Sequence, residues 1–146
     1  MSTSHVGKIL TLFISKNMSP KRATQAEIVL DEKGILSDKF YDKGIQRSVL
    51  ITSIDSYDLA LEHGIKIPYG SLGENILMNY NPYALPTGSK LRIGEVILQI
   101  SQNCTICSHL SHIDKKLPKL LKHDRGIFAQ VVKGGVIKSD DSIYLL

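Results

Sequence analysis

The stretch SQNCTICSHLSH, residues 101–112, holds both cysteines of the chain, three positions apart, and two of its five histidines. Several chemistries are open to it. Cys104, Cys107, His109 and His112 are potential zinc ligands, yet they fall within positions 104–112. Structural zinc sites separate two ligand pairs by a dozen or more residues, so that the chain can wrap a tetrahedral ion. Cys-x-x-Cys also matches a dithiol redox pair, whose first thiol gains a low pKa by capping a helix after a strand. The chain lacks the repeated βαβ pattern in which that motif is informative. Burial is the plain alternative, because free cysteine is among the most buried residue types, and Cys107 fits it. Cys104 stands just past a strand-like run, between Asn103 and Thr105. Side chains there are often exposed, so for Cys104 a single reactive, exposed thiol is the better reading.

Charge supports that reading. From Cys104 to Lys133 the basic residues are Lys115, Lys116, Lys119, Lys122, Arg125 and Lys133, against Asp114 and Asp124. The net charge is +4, so this segment carries the whole excess. A local positive field favours an anionic partner and lowers the pKa of a nearby thiol. The competing reading of the lysines is the solvated face of a helix.

A second polar stretch is YGSLGENILMN, residues 69–79. Glu74 and Asn75 lie between a glycine and an apolar run, and offer acceptors and donors suited to a hydrogen-bond-rich heterocycle. Gly70 and Gly73 permit tight turns and close backbone approach. Arg47 and Arg125 each open a strand-like run. Their planar forks suit either a buried ion pair or a carboxylate or phosphate. Asp38 reads as a turn residue. P-loop, Gly-x-Gly-x-x-Gly and Ser/His/Asp signatures are missing. With no Trp and 6% aromatics, stacking platforms for nucleic acid are scarce.

These residues need a scaffold, and 146 residues with 42% hydrophobic and 22% charged content make one ordinary domain, 1–146. The chain is long enough to bury a core without disulfide or structural metal. Strand-like runs cover 6–15, 25–31, 47–53, 126–134 and 142–146, and 89–101 reads as two strands broken at Gly94–Glu95. Residues 53–64 read as a helix capped by Ser53, with Ile54, Tyr57, Ala60 and Leu61 at helical spacing and Gly64 at its end. Residues 111–123 read as a second helix, in which Pro118 marks a break or a start. Many short strands with two short helices indicate a mainly β protein, a closed or nearly closed β-barrel. The apolar run Ile9–Ile14 is too short for a signal segment, and no run approaches the ~18 residues of a membrane span. The expectation is a cytoplasmic protein.

Four segments in order, GILSDKF…QRSVLITS, GSLGENIL, LPTGSKLRIGEVILQISQNC and DRGIFAQVVKGGVIKSDD, resemble the MOSC domain, the C-terminal domain of molybdenum-cofactor sulfurases, in its short stand-alone bacterial form. The resemblance runs from about Val6 to the end. It implies a β-rich barrel that binds the molybdenum cofactor (molybdopterin), an anionic pterin phosphate carrying the metal. It places Cys104 as molybdenum ligand or persulfide carrier, and Arg47, Glu74, Asn75 and Arg125 around the pterin. Lys115, Lys116, Lys119 and Lys122 become phosphate contacts. Two activities are implied: reduction of N-hydroxylated small molecules with a reductase partner, or sulfur transfer with a cysteine desulfurase partner. No pyridoxal phosphate is expected on this chain. Rivals are a non-catalytic cofactor carrier and, more distantly, a zinc-binding or dithiol protein. The chain departs from the family at Ser37, where a second glycine is usual, at Lys39–Phe40–Tyr41, and at Asn103, where a proline often stands.

Overall fold

The computed structural model describes residues 3–15, 22–105 and 108–146. Its strands are β1 (Ser4–Ser15), β2 (Arg22–Gln25), β3 (Glu27–Asp31), β4 (Gly34–Ile35), β5 (Val49–Ser53), β6 (Ile76–Met78), β7 (Lys90–Ile93), β8 (Val96–Asn103), β9 (Ile127–Lys133), β10 (Gly135–Lys138) and β11 (Ser142–Leu145). The helices are α1 (Ile54–Glu62), α2 (Ser108–Ile113) and α3 (Leu117–Leu120), with a 3-10 turn at Ile45–Arg47. None of them is long and apolar enough to cross a membrane.

Seven strands close a barrel in the order β1, β11, β7, β8, β9, β5, β6 and back to β1. Closure leaves no unpaired ladder around the wall. The expected barrel is therefore observed, and it is closed. β1 is long because it serves three neighbours, pairing β11 through Ser4–Lys8, β6 through Ile9–Leu12 and β2 through Leu12–Ser15. The neighbours β5 and β6 run parallel, which requires a long crossover. Residues 54–75, including α1, provide it.

Strand alternation sends one set of side chains inward. Val96, Leu98 and Ile100 of β8 join Ile9, Leu12, Ile51, Ile76 and Ile127 in the barrel core. The sheet β10-β3-β4 adds Ile28, Leu30, Ile35 and Ile137 to it. A second core lies outside the wall, where Phe13 and Leu77 meet Tyr57 and Ala60 of α1, Leu110 of α2 and Leu117 of α3. Covered on both faces, β5 is buried at every residue.

The helices differ in detail from expectation. Ser53 caps α1, its hydroxyl accepting from Asp55 N at 3.1 Å. Leu61, expected on the buried stripe, is 56% exposed, because it falls on the rim of a face set by Ser56, Tyr57 and Ala60. The helix expected over 111–123 is two helices, with Pro118 in the first turn of α3. The short strands β2, β4 and β10 were outside the expected set, as runs of two to four residues carry too little pattern.

Ser37 has φ 72°, the left-handed region that an L side chain occupies at a cost of about 1–2 kcal/mol. Ser37→Gly removes that strain but adds unfolded-state freedom. We expect a net stabilisation of about 0.5–1 kcal/mol, read as a higher urea midpoint; a lower midpoint would contradict the assignment of strain.

Candidate functional site

Cys104 follows β8 directly. Its N–H donates to the Gly126 carbonyl at 3.0 Å, extending the β8–β9 ladder one bond beyond the pair Asn103–Ile127. Against the exposure expected of a residue just past a strand end, the side chain is buried, 4% exposed, because the ladder continues through it, and the thiol is free. Cys107 lies outside the described residues, as does the side chain of His109. Among the described residues no three His, Cys, Asp or Glu side chains gather to hold a metal.

The bond to Gly126 brings the Cys104 backbone to the residue that follows Arg125. Close packing favours glycine at 126, since a Cβ there would lie 3.1 Å from the Ile51 carbonyl and 3.0 Å from Leu50 Cδ1. Arg125 is 6% exposed. Its carbonyl accepts from Thr52 Oγ1 at 2.9 Å, and its Nε and Nη2 donate to the Leu72 carbonyl at 3.3 and 3.2 Å. Nη1 is buried without a hydrogen-bond partner. A guanidinium stays charged at any physiological pH, and an unmet charged donor in a protein interior is expensive. This atom fits an anion.

Leu72 belongs to the Gly70–Asn75 loop, which reaches Glu74 and Asn75. Glu74 is fully buried. Its Oε2 accepts from the Tyr57 hydroxyl and from Gly70 N at 3.2 Å. Gly70 N also donates to Tyr57 Oη at 2.9 Å, and φ at Gly70 is +91°, with the Phe13 ring 3.1 Å from where a Cβ would stand. Burial first, then the neighbouring Glu74 carboxylate, pushes the Tyr57 hydroxyl far above the ordinary phenol range, so it remains a donor. Asn75 ties three elements together. Its Oδ1 accepts from Leu50 N at 3.0 Å, and its Nδ2 donates to the Phe13 carbonyl and Asp38 Oδ1, both at 3.3 Å.

Asp38, read from sequence as a turn residue, is buried and also accepts from Ser15 N at 2.7 Å and Phe40 N at 3.1 Å. A single Asp after GILS carries no signal for that role. Tyr83 was likewise missed. Its hydroxyl accepts from Ser53 N at 2.8 Å and lies 2.7 Å from Ser56 Oγ, and burial pushes its pKa up to about 12.

Arg47 stands apart from this buried group. It is exposed, on the 3-10 turn, with its guanidinium 5.5 Å from the Phe128 ring centre. With the Gln102 amide oxygen turned toward it, Nε and Nη2 donate at 2.8 and 3.1 Å. A shallow depression of about 340 Å³ opens there, lined by Gly44, Ile45, Gln46, Arg47 and Gln102. Lys115, Lys116, Lys119 and Lys122 are exposed on and around α3. A separate depression of about 340 Å³ beside α1 is lined by Asp55, Asp58, Leu59, Glu62 and Asp124, a sign of charge that suits no anion. The structure thus ties Cys104 to Gly126 by a backbone bond and Arg125 to the Leu72 carbonyl by its guanidinium, and leaves Arg47 and the lysines on the surface.

The donor set fits a molybdenum cofactor in chemical type: a thiol for a soft metal site and a guanidinium with an unmet donor for a phosphate. Comparison with solved structures gives the same fold. The YuaD protein from Bacillus subtilis has a TM-score of 0.81 at 19% identity, covering 99% of this chain and 97% of that one. YiiM from Geobacillus stearothermophilus has a TM-score of 0.78 at 17% identity, covering 96% of this chain and 75% of that one. YiiM from Escherichia coli has a TM-score of 0.67 at 18% identity, covering 95% and 69%. No curated protein sequence matches the chain. The family model of the MOSC domain matches residues 32–144, a span holding β4 to β10, Cys104, Arg125 and the Glu74–Asn75 loop. With the barrel closed and most of its wall inside that span, the chain belongs to the MOSC domain family, which is associated with molybdenum-cofactor function.

Proposed function

We propose that this MOSC domain binds the molybdenum cofactor, with Cys104 as thiolate ligand to the metal and Arg125 as the buried contact to the pterin phosphate. The unpartnered Nη1 of Arg125, one residue from the carbonyl that takes the Cys104 N–H, carries this reading. Arg47 and the lysines from 115 to 122 supply longer-range attraction for an anion. Glu74 and Asn75 hold the loop that meets Arg125. When bound, the cofactor supplies two-electron redox chemistry. The reaction is reductive cleavage of an N–O bond: two electrons from a separate reductase and two protons convert N–OH to N–H and water.

The test is metal analysis by mass spectrometry with pterin fluorescence, on protein from a cofactor-producing host. Molybdenum and pterin near one per chain are expected. Changing an outer partner of a metal ligand already costs about 10–100-fold in affinity, so Cys104→Ser should lower molybdenum at least ~10-fold with the fold intact. Wild-type metal content in that variant sinks the assignment. Cofactor with no turnover under any electron supply marks a carrier; a trapped persulfide on Cys104 without molybdenum marks a sulfur relay.

A further inference from the structure

Arg125 is useful to an anion only if its free N–H group is held in place, and the holding residues lie one step away. The Leu72 carbonyl takes both Nε and Nη2, which fixes the guanidinium plane and leaves Nη1 as its unmet end. That carbonyl belongs to a loop whose own amides are held from the other side. Gly70 N donates to Tyr57 Oη at 2.9 Å, and Leu72 N approaches the same oxygen at 3.4 Å. The Tyr57 hydroxyl in turn donates to Glu74 Oε2. Tyr57 is anchored by α1, is 6% exposed, and has the Tyr69 ring edge-on at 5.1 Å. The chain of contacts runs from helix to hydroxyl, to loop amides, to the Leu72 carbonyl and to the guanidinium.

We infer that Tyr57, with Glu74 behind it, is a positioning residue that orients Arg125 toward an oxyanion through the Leu72 carbonyl. The inference rests on Arg125 being the anion contact, but the positioning itself can be read without any ligand. Neither Tyr57 nor Glu74 needs to touch the anion. In this role Glu74 acts as a buried acceptor, which accounts for a carboxylate placed where no solvent reaches it.

The experiment is NMR of the guanidinium groups in the nitrogen-labelled full chain, with Arg125 assigned by its loss in Arg125→Lys. In the wild type, rotation about the Nε–Cζ bond is expected to be slow, giving separate signals for the two Nη groups. Tyr57→Phe keeps the ring and removes the oxygen. It should speed that rotation about 10-fold, the equivalent of one lost hydrogen bond, and merge the signals. The Ala60 and Leu117 methyl resonances, which report packing in the same core, should stay in place. Separate signals in both proteins overturn the inference. If Tyr57→Phe does not fold, Glu74→Leu, which removes the acceptor for the Tyr57 hydroxyl, carries the test: faster rotation supports the role, and unchanged rotation overturns it. Inorganic phosphate is then titrated into the wild type. Shifts at Arg125 that weaken in Tyr57→Phe support both readings. No phosphate shift, with the rotation effect present, upholds the positioning role and counts against Arg125 as anion contact.

Discussion

Asn75→Leu lowers stability by about 3–5 kcal/mol, a large part of the ~5–15 kcal/mol that holds a domain folded. The side chain is 4% exposed and makes three bonds to β5, β1 and the loop at Asp38. Leucine fits the volume but leaves Leu50 N and the Phe13 carbonyl without these partners and takes one donor from a buried carboxylate. Each unmet buried group costs about 1–3 kcal/mol, and losing one partner of a buried charge is severe. Thermal and urea unfolding of the purified variant measures the effect. A stable Asn75→Leu protein that has lost only the cofactor would instead make Asn75 a direct pterin contact.

Arg125→Met has a different expected signature. Methionine replaces the apolar stem and removes a buried charge whose Nη1 has no partner. The Leu72 carbonyl loses two donors, which offsets that gain. Stability should stay within about 1 kcal/mol of wild type, as apolar replacement of buried charge is often neutral or better. Anion binding should fall about 10–100-fold, since a charge-assisted hydrogen bond contributes roughly 1.5–3 kcal/mol. Parallel measurements of melting temperature and molybdenum content decide it: unchanged content rules out Arg125 as the phosphate contact. Set beside Asn75→Leu, the pair separates residues that build the site from residues that use it.

Much of the barrel was legible in the sequence because its strands alternate. EVILQIS places Val96, Leu98 and Ile100 on one face, and all three are inside. LRIGEV breaks at Gly94–Glu95, and the hairpin β7–β8 turns there. The second core was harder to see, because VLITS has no alternation when both faces are covered. The thiol after β8 was visible from composition, being one of two cysteines beside the one basic segment. What composition could not supply was contact. Asp38 and Asn75 are 37 positions apart and meet only because β1, β5 and β6 bring them together. Arg125 and Leu72 are 53 apart. Tyr57 looked like one apolar position on a helix face, and its hydroxyl chemistry became apparent only with Glu74 opposite.

The pairing of β1 with β11 has a consequence for how the molecule is made. Ser4 lies opposite Leu145, so the barrel cannot close until β11 has left the ribosome. Until then β1 and β7 each lack the neighbour that β11 provides, and open strand edges are templates for the wrong partner. Contacts this distant in sequence also fold slowly, because the loop entropy must be lost before they form. Synthesis therefore passes through a stage in which an incomplete barrel presents two free edges, and the arrival of β11 ends it.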